Sequence, residues 1–341
     1  MRLAHIRELS APAGAPWRVA AALGPGAADM ERPAAWLDLE VARRRAIAAR
    51  PALAHDAALF RQPITTLDDH MGRGLRVAVL AELVEAFAPR DEDDDAVLAT
   101  EDLSFGSPVL RPPSIRDGYG FERHVRTVWE RRGGEVPPIW YELPVFYFSN
   151  VAEVRGPGDP VWAPRGSTEL DFELEVAALI DTPAMDLSAD DGEAVIGGYM
   201  IFNDWSARDL QREETQLRLG PAKGKDFASA FGPWLVTPDE LEDRRSGRAF
   251  DLEMTAHVNG AEISRGRWSD AVHGFAGLAA RASADVHLRP GDLLGSGTVG
   301  TGCLLEVRDA TLGRYLLPGD VVELSVERLG VLRNPVVTRP S

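Results

Sequence analysis

The chain has 341 residues, of which 45% are hydrophobic and 26% charged, a composition typical of globular proteins with one large domain or two unequal ones. Its formal net charge of −16 would repel phosphate backbones and anionic lipids, so we expect no nucleic-acid and no membrane partner. Its single cysteine, Cys303, excludes an internal disulfide, which suits a reducing cytoplasm.

The sequence carries no pattern typical of secretion or of membrane insertion. The first ten residues include Arg2, Arg7 and Glu8, and no apolar core of a signal peptide follows them. No apolar run approaches the roughly 20 residues of a membrane span. We therefore expect a cytoplasmic protein.

The first third of the chain has regular patterns but no constellation of catalytic residues. A strand is predicted over 17–23, and helices are predicted over 34–49 and 75–88. The acidic run 91–95 is interpreted as a solvated loop. We assign residues 1–105 to a smaller N-terminal domain that caps the site or mediates dimerisation.

A histidine and an aspartate open the remaining part, residues 106–341, which we interpret as the catalytic domain. His124 shares the spacing of one helix face with three apolar residues, so it lies on or beside an apolar stripe. Such a histidine is usually a core residue. Asp117 precedes this helix on a glycine-flanked turn, from which its carboxylate can face a cleft.

Residues 170–180 alternate apolar and acidic side chains with the period of a half-buried strand. Glu173 and Glu175 therefore point to the same side, about 7 Å apart at roughly 3.4 Å per residue. On a solvated face this pair would be ordinary, whereas in a cleft the two carboxylates would need a cation between them. The residues alone leave both interpretations open.

A second strand, over 196–202, is predicted to lead into a helix that begins at Asn203 and Asp204, where short polar side chains can cap free amides. Asp204, Arg208 and Gln211 then share one polar helix face. By itself this pattern fits a surface helix with an ordinary Asp–Arg pair.

Glycine-rich loops and short strands fill the rest of the chain. The segment around Lys225 fails the phosphate-loop pattern, because Asp226 stands where that pattern needs serine or threonine. The loop 295–302 could offer backbone amides to a ligand oxygen, and a strand is predicted over 303–307. Further strands over 252–258 and 321–327, with Pro-Gly-Asp turns, favour a β-rich α+β fold with a rolled β domain.

Five motifs occur in a fixed order between residues 107 and 335. They are Asp117-x-Tyr119 followed by His124; Glu173-x-Glu175; Asn203-Asp204-Trp205-Ser206-Ala207-Arg208-Asp209-x-Gln211; Gly224-Lys225-x-Phe227 ending in Gly232-Pro233-Trp234; and Gly295-Ser296-Gly297-Thr298. Together they resemble the fumarylacetoacetate hydrolase family. The resemblance implies a mixed β-roll catalytic domain, usually dimeric.

The resemblance also implies a metal site. Glu173, Glu175 and Asp204, with Asp117 as a fourth, correspond to the ligands of one divalent cation. A single cation would let these neighbouring carboxylates stay ionised. Ligation by oxygen alone suits Mg²⁺, Mn²⁺ or Ca²⁺ rather than zinc.

By the same resemblance, His124 oriented by Glu306 corresponds to a general base, and Lys225 would neutralise a substrate oxygen near the metal. The Glu306 match crosses a gap, because the loop before it is shorter than in better-known family members. The corresponding substrate contacts are Tyr119, Arg208, Gln211 and Thr298. Arg208 is suited to bidentate binding of a carboxylate.

The resemblance thus implies a divalent-metal-dependent hydrolase that cleaves a carbon–carbon bond in a β-diketo acid, fumarylacetoacetate- or acylpyruvate-like, during breakdown of aromatic compounds. An alternative with the same fold is an isomerase, hydratase or decarboxylase acting on a 2-oxo- or 2-hydroxy-dienoate. A non-catalytic metal-binding scaffold is the alternative from another class. We expect a small keto-acid substrate and a homodimer.

Overall fold

Strands dominate the part of the chain that the computed structural model describes, residues 1–24, 32–87 and 94–340. They are β1 (Arg2–Glu8), β2 (Arg18–Leu23), β3 (Ala35–Asp38), β4 (Val97–Ala99), β5 (Leu103–Gly106), β6 (Ile115–Gly118), β7 (Phe146–Ser149), β8 (Val154–Arg155), β9 (Leu170–Asp171), β10 (Leu174–Ile180), β11 (Ile196–Asp204), β12 (Ser206–Ala207), β13 (Ser229–Val236), β14 (Arg245–Ser246), β15 (Ala249–Phe250), β16 (Glu253–Val258), β17 (Ala261–Arg267), β18 (Leu293–Gly295), β19 (Val321–Val326) and β20 (Gly330–Pro335).

The helices are short and lie between the strands. The α-helices are α1 (Leu39–Ala49), α2 (Leu53–Asp56), α3 (Leu67–Gly72), α4 (Ala81–Ala86), α5 (Glu122–Arg131), α6 (Ile139–Glu142), α7 (Arg208–Gln216), α8 (Phe275–Ser283) and α9 (Leu304–Val307). Single 3₁₀ turns cover Ala58–Phe60, Val77–Leu80, Thr100–Asp102, Pro238–Glu240, Glu242–Arg244, Trp268–Asp270 and Arg308–Ala310. Within the described ranges, no helix combines the length and the apolarity needed to cross a bilayer.

A 12-stranded mixed sheet forms the body of the molecule, in the order β4-β3-β2-β1-β13-β11-β10-β18-β6-β7, with β5 on β1 and β8 on β13. Most pairs are antiparallel, while β18–β6 and β13–β8 are parallel. A four-stranded antiparallel sheet, β17-β16-β19-β20, contacts β10, β11 and β13. The predicted β-rich α+β fold with a mixed sheet is confirmed.

The N-terminal strands belong to the same sheet as the predicted catalytic domain. Strand β1 pairs antiparallel with β13, with Arg2 opposite Val236 and Leu3 opposite Leu235. Backbone hydrogen bonds therefore cross the boundary that we predicted at residue 105. The boundary and the capping or dimerising role of residues 1–105 stay predictions.

Local predictions in the first third were partly right. The strand over 17–23 is confirmed as β2, but the predicted helix over 34–49 starts with strand β3 and becomes helical only after Asp38, which caps α1. The predicted helix over 75–88 is a 3₁₀ turn followed by α4. Of the acidic run, residues 91–93 lie outside the described residues, Asp95 is exposed as predicted, and Asp94 is buried and pairs with Arg45.

Both faces of the central strand β10 are covered, which changes the meaning of its sequence pattern. Leu174 and Val176 pack into one apolar cluster, and Ala177 and Leu179 pack into a second cluster on the other side of the sheet. Every residue of β10, including Glu175, is buried. The acidic side of the alternation therefore faces the protein interior, not solvent.

A glycine permits the close approach of two of these central strands. In the parallel pair β18–β6, Gly295 is opposite Asp117, and a Cβ on the adjacent Gly118 would lie 2.8 Å from the Gly295 carbonyl oxygen. A contact this short cannot be accommodated without moving backbone, so Gly118 sets the separation of β6 from β18.

We expect Gly118→Ala to lower the free energy of unfolding by about 1–3 kcal/mol, as overpacking of a rigid site does. The matched control is Gly72→Ala in α3, where a Cβ meets nothing within 4 Å and helix propensity favours alanine by up to about 1 kcal/mol. Urea unfolding measures both variants. Equal losses at the two positions would contradict this account of the β6–β18 contact.

Candidate active site

Four neighbouring strands bring carboxylates from distant parts of the sequence to one end of the sheet. Leu174 of β10 is opposite Asn203 of β11, so Glu173 and Asp204 are the next residues on the paired strands. On the other side of β10, Ala177 is opposite Gly295 of β18, and Gly295 is opposite Asp117 of β6. Because Gly295 has no side chain and β18 ends there, the Asp117 carboxylate can extend toward β10.

The carboxylates of Asp117, Glu173, Glu175 and Asp204 form one buried cluster. Each offers an oxygen, and these four oxygens lie within 4.8 Å of one another. Two carboxylate oxygens of these residues, Glu175 Oε2 and Asp204 Oδ1, are buried without a hydrogen-bond partner among the described residues. A divalent cation that prefers oxygen ligands would satisfy both the charge and these orphaned atoms. The residues present therefore fit such an ion.

Two cations already neutralise part of the cluster. Lys225 Nζ donates to Glu173 Oε2 at 2.6 Å and also to Asp204 Oδ2. The terminal nitrogen NH2 of Arg208 lies 2.8 Å from Glu173 Oε1. Both cationic side chains are buried. Two positive charges thus face four carboxyl groups, which leaves the cluster short of positive charge.

The pKa values in the cluster record this deficit. Burial, followed by the charge of Asp204, raises the pKa of Asp117 to about 8. Burial and then Asp117 raise the pKa of Glu175 well above its usual range, and burial also raises the pKa of Asp204. Burial would raise the pKa of Glu173 too, but Lys225 and Arg208 outweigh it and hold that pKa below its usual range.

A histidine–glutamate pair lies beside the carboxylate cluster. His124 Nδ1 and Glu306 Oε1 are 2.7 Å apart, and both side chains are almost fully buried. The other carboxylate oxygen of Glu306 accepts the backbone N–H of Thr301 at 3.1 Å. These contacts fix the imidazole and leave Nε2 without a hydrogen bond to any described residue. His124 is close enough to Glu173 for its charge to lower the pKa of that carboxyl.

The four predicted substrate contacts surround this pair and the cluster. Tyr119 packs its ring edge-to-face with His124, at 5.6 Å between centroids. Thr298 Oγ1 donates to Glu175 Oε1 at 3.3 Å. Arg208 NH1 donates to Gln211 Oε1 at 3.1 Å. Both of these α7 side chains face inward.

A cavity of about 340 Å³ joins these groups. It is lined by nine of the eleven predicted site residues: Asp117, Tyr119, His124, Glu173, Glu175, Arg208, Gln211, Lys225 and Thr298. The other two, Asp204 and Glu306, do not line the cavity but are hydrogen-bonded to lining residues, Asp204 to Lys225 and Glu306 to His124. The arrangement can hold a cation, bind an anion and transfer a proton within one cavity.

Several local predictions about these residues were wrong. Asp117 lies in strand β6 rather than on a turn, and Asp204 ends strand β11 rather than opening a helix. Because α7 starts only at Arg208, Asp204 and Arg208 do not form a surface pair. Arg208 is instead buried, and its Nε donates to Asp171 Oδ2 at 2.7 Å.

The segment before Glu306 also differs from its prediction. Residues 304–307 form the short helix α9 rather than a strand. In the loop 295–302, the amide of Gly297 donates to Asp117 and that of Thr301 to Glu306. These two amides therefore position site residues and are not free for a ligand oxygen.

Sequence reasoning missed two side chains that complete the site. The Tyr147 hydroxyl donates to Asp204 Oδ2 at 2.5 Å and lines the cavity. Asp171 is fully buried and holds Arg208. Tyr147 lies in β7, where nothing in the sequence distinguishes it from its aromatic neighbours. Asp171 belongs to the same acidic alternation as Glu173, and that was the available signal.

Comparison with known proteins identifies the class. The family model "Fumarylacetoacetate (FAA) hydrolase C-terminal" matches residues 114–337. The chain is 35% identical to a 2,4-didehydro-3-deoxy-L-rhamnonate hydrolase from Sphingomonas sp. (strain SKA58) over 197 residues, which cover 57% of this chain and 65% of that protein. It is 31% identical to the human mitochondrial oxaloacetate tautomerase FAHD2A, over 71% of this chain and 72% of that protein.

Solved structures give the same fold. The crystal structure of a 5-carboxymethyl-2-hydroxymuconate delta-isomerase from Mycobacterium smegmatis matches with a TM-score of 0.63 and 24% identity, covering 99% of this chain and all of the other. The chain therefore belongs to the fumarylacetoacetate hydrolase family, as its motifs predicted. Members of this family are enzymes, among them hydrolases, isomerases and tautomerases that act on keto acids.

Removal of one carboxylate tests whether the cluster binds a cation or consists of ordinary buried acids. We expect Glu175→Gln to weaken Mg²⁺ binding by more than the roughly 10- to 100-fold that loss of an outer-shell partner costs. Isothermal titration calorimetry measures the affinity. The control is Glu323→Gln on β19, whose partner is Arg333. Wild-type affinity in Glu175→Gln would show that the cluster is not the cation site.

The raised pKa values give the metal-free protein a pH dependence of defined sign. Because the pKa values of Asp117 and Glu175 are raised in the folded protein, the folded state binds their protons more tightly than the unfolded state does. This contribution to stability is present at low pH and is lost as the pH rises through the folded pKa, which is about 8 for Asp117. We expect the Tm of EDTA-treated protein to fall between pH 7 and pH 9, and Mg²⁺ to raise Tm more at pH 9 than at pH 6.

Differential scanning calorimetry with and without Mg²⁺ provides this measurement. Asp117→Asn removes one of the titrating groups and should reduce the decline of Tm with pH. A stabilisation by Mg²⁺ that is equal at both pH values would contradict the proposed coupling between protons and cation.

Proposed function

We propose that this protein is a divalent-metal-dependent hydrolase that cleaves the carbon–carbon bond between two carbonyl groups of a small β-diketo acid. The observation that carries the proposal is the His124–Glu306 pair, 2.7 Å apart and next to a carboxylate cluster in one cavity. Activation of water near a polarised ketone requires a base beside a cation site, and here the fixed imidazole of His124 is that base.

Asp117, Glu173, Glu175 and Asp204 would hold the cation, Mg²⁺, Mn²⁺ or Ca²⁺. When bound, the ion supplies Lewis-acid polarisation of the substrate's carbonyl oxygens. Lys225 adds a fixed positive charge next to the same oxygens. Its pKa is raised, because Asp204 and Glu173 outweigh the effect of burial, so Lys225 stays charged.

His124 performs the proton transfers. With Nδ1–H donated to Glu306, Nε2 accepts a proton from water as the oxygen of that water adds to the ketone carbon. The bond from this carbon to the methylene carbon between the carbonyls then breaks, and the methylene carbon keeps the electron pair as an enolate. Nε2–H returns the proton to that carbon. One water is consumed, and a carboxylic acid and a ketone-bearing acid are formed.

The carboxylate of a keto acid would bind among the cationic side chains at the cavity wall. Arg132 lines the cavity, is exposed, and has no side-chain partner among the described residues. Burial raises the pKa of the Tyr119 phenol, and Arg132 is close enough for its positive charge to oppose that rise. Gln211 and Thr298 would orient the remaining oxygens. A cavity of about 340 Å³ suits a small molecule.

Bidentate binding of the substrate carboxylate by Arg208 is the least favoured of the predicted roles. Its Nε and NH1 are engaged by Asp171 and Gln211, and NH2 lies beside Glu173. Arg208 would contribute charge and position its neighbours rather than offer two free donors.

An isomerase or tautomerase acting on a 2-oxo- or 2-hydroxy-acid is the second candidate, with hydratase and decarboxylase chemistry beside it. It is favoured by the same pair, since Nε2 of His124 could shuttle a proton between carbon and oxygen without water attack. The likeness to the human tautomerase adds support. A non-catalytic scaffold is disfavoured, because such a protein would not need a buried His124–Glu306 pair at its cavity.

Two further parts of the proposal concern the whole protein. We infer a homodimer, and exposed apolar side chains at Ile139, Val145 and Phe148 offer surface that a second copy would cover. We also infer a cytoplasmic location. Sedimentation velocity and fractionation of the source cells test these two inferences independently of activity.

His124→Ala should lower kcat for an acylpyruvate by about 10²- to 10⁴-fold, the usual contribution of a general base, while Mg²⁺ affinity stays unchanged. The matched control is His257→Ala on β16, which does not line the cavity. Product analysis identifies the reaction: two acid or ketone fragments support the hydrolase, and an unchanged carbon skeleton supports the isomerase. Wild-type turnover in His124→Ala would refute the base assignment.

A further inference from the structure

We propose that Asp171 is a positioning residue for the His124–Glu306 base, an inference that rests on the proposed function. Asp171 lies two residues before Glu173, is fully buried, and does not line the cavity. It therefore acts through the groups it holds. Those groups belong to two different parts of the site.

The Asp171 carboxylate accepts four hydrogen bonds, which saturate it. Oδ1 accepts the backbone N–H groups of Phe172 and Leu304, both at 2.8 Å. Oδ2 accepts Nε of Arg208 at 2.7 Å and the backbone N–H of Leu305 at 2.9 Å. A carboxylate shared among three amides and a guanidinium holds all four donors in fixed relative positions.

Two of these donors are the first residues of α9, the helix that carries Glu306. Helix α9 spans Leu304–Val307 and receives no cap from the side chain of Cys303. A helix of four residues is too short to form without tertiary support, because its nucleation cost is not recovered. Asp171 supplies that support at the start of the helix, and Thr301 supports Glu306 itself. The position of Glu306 relative to His124 thus depends on Asp171.

The third donor links the same carboxylate to the cation site. Arg208 bonds Asp171 through Nε and approaches Glu173 through NH2. Asp171 also pairs with Ser206 across β9 and β12, which fixes the backbone before Arg208. One buried carboxylate therefore sets the separation between the general base and the carboxylate cluster.

The test is a double-mutant cycle between Asp171→Asn and Glu306→Gln, with kcat for the acylpyruvate as the readout. Asparagine keeps the size and one acceptor but presents an N–H group to donors that need an acceptor. We expect Asp171→Asn alone to lower kcat by about 100-fold, within the contribution of a general base. In the Glu306→Gln background it should lower kcat by less than about threefold, because the base is already displaced.

The pH profile gives a second readout that loss of stability alone would not move. Glu306→Gln removes the carboxylate that contacts the proposed base at 2.7 Å, so the acidic limb of the pH profile of kcat/KM should shift. We expect Asp171→Asn to shift this limb in the same direction, and the double variant to shift it no further.

The chain provides a matched control at the other end of β10. Asp181 is also buried, pairs with an arginine (Arg76 Nε at 3.2 Å) and accepts the first amide of a 3₁₀ turn (Val77 at 3.0 Å). Asp181→Asn should lower Tm as Asp171→Asn does but leave kcat and its pH profile unchanged. If Asp171→Asn fails to fold, Asp171→Glu, which keeps the charge, replaces it in the same double-mutant cycle. Its effect on kcat should likewise become small in the Glu306→Gln background.

The outcomes separate this inference from the function on which it rests. If Glu306→Gln lowers kcat and the fold-loss of the double variant equals the product of the two single fold-losses, the positioning role is wrong and the proposed function stands. If Glu306→Gln has wild-type turnover, the base assignment fails and the role of Asp171 fails with it. An Asp181→Asn variant as inactive as Asp171→Asn would also overturn the inference, since loss of any buried aspartate would then suffice.

Discussion

The structure depends on a single electrostatic constraint: among the residues that the structure describes, four carboxyl groups share a buried space with two positively charged side chains. Lys225 and Arg208 keep Glu173 ionised, while burial and mutual repulsion raise the pKa values of Asp117, Glu175 and Asp204. Such a cluster must either retain protons or bind a cation, because uncompensated charge in a low-dielectric interior is costly. The catalytic chemistry that we propose is a use of this constraint.

The fold satisfies the constraint by placing acidic residues where strands end. Glu173 directly precedes β10 and Glu175 is its second residue, Asp204 ends β11, and Asp117 reaches past the end of β18 over a glycine. The base comes from outside the sheet: His124 on α5 lines the same cavity, and Glu306 on α9 contacts His124. The rigid sheet therefore fixes the cation site, whereas the position of the base relies on a few buried hydrogen bonds around a four-residue helix.

The sequence was sufficient for the parts of this arrangement that depend on local pattern or on motif. The stripe that buries His124 in α5, the common direction of Glu173 and Glu175, and the family were predicted correctly. Whether the glutamates face solvent could not be predicted, because burial of both faces of β10 follows from the clusters that pack on it. The strand ending at Asp204 and the helix at Glu306 were mispredicted, since tertiary contacts from Lys225 and Asp171 outweigh local propensity there.

Anomalous diffraction from crystals soaked in Mn²⁺ tests the central claim most directly. We expect a single strong peak among the carboxylates of Asp117, Glu173, Glu175 and Asp204. Its distance from their oxygens should be about 2.0–2.6 Å, the range that divalent cations keep from oxygen ligands. Crystals that show no peak at this position, with Lys225 still bridging Glu173 and Asp204, would contradict it.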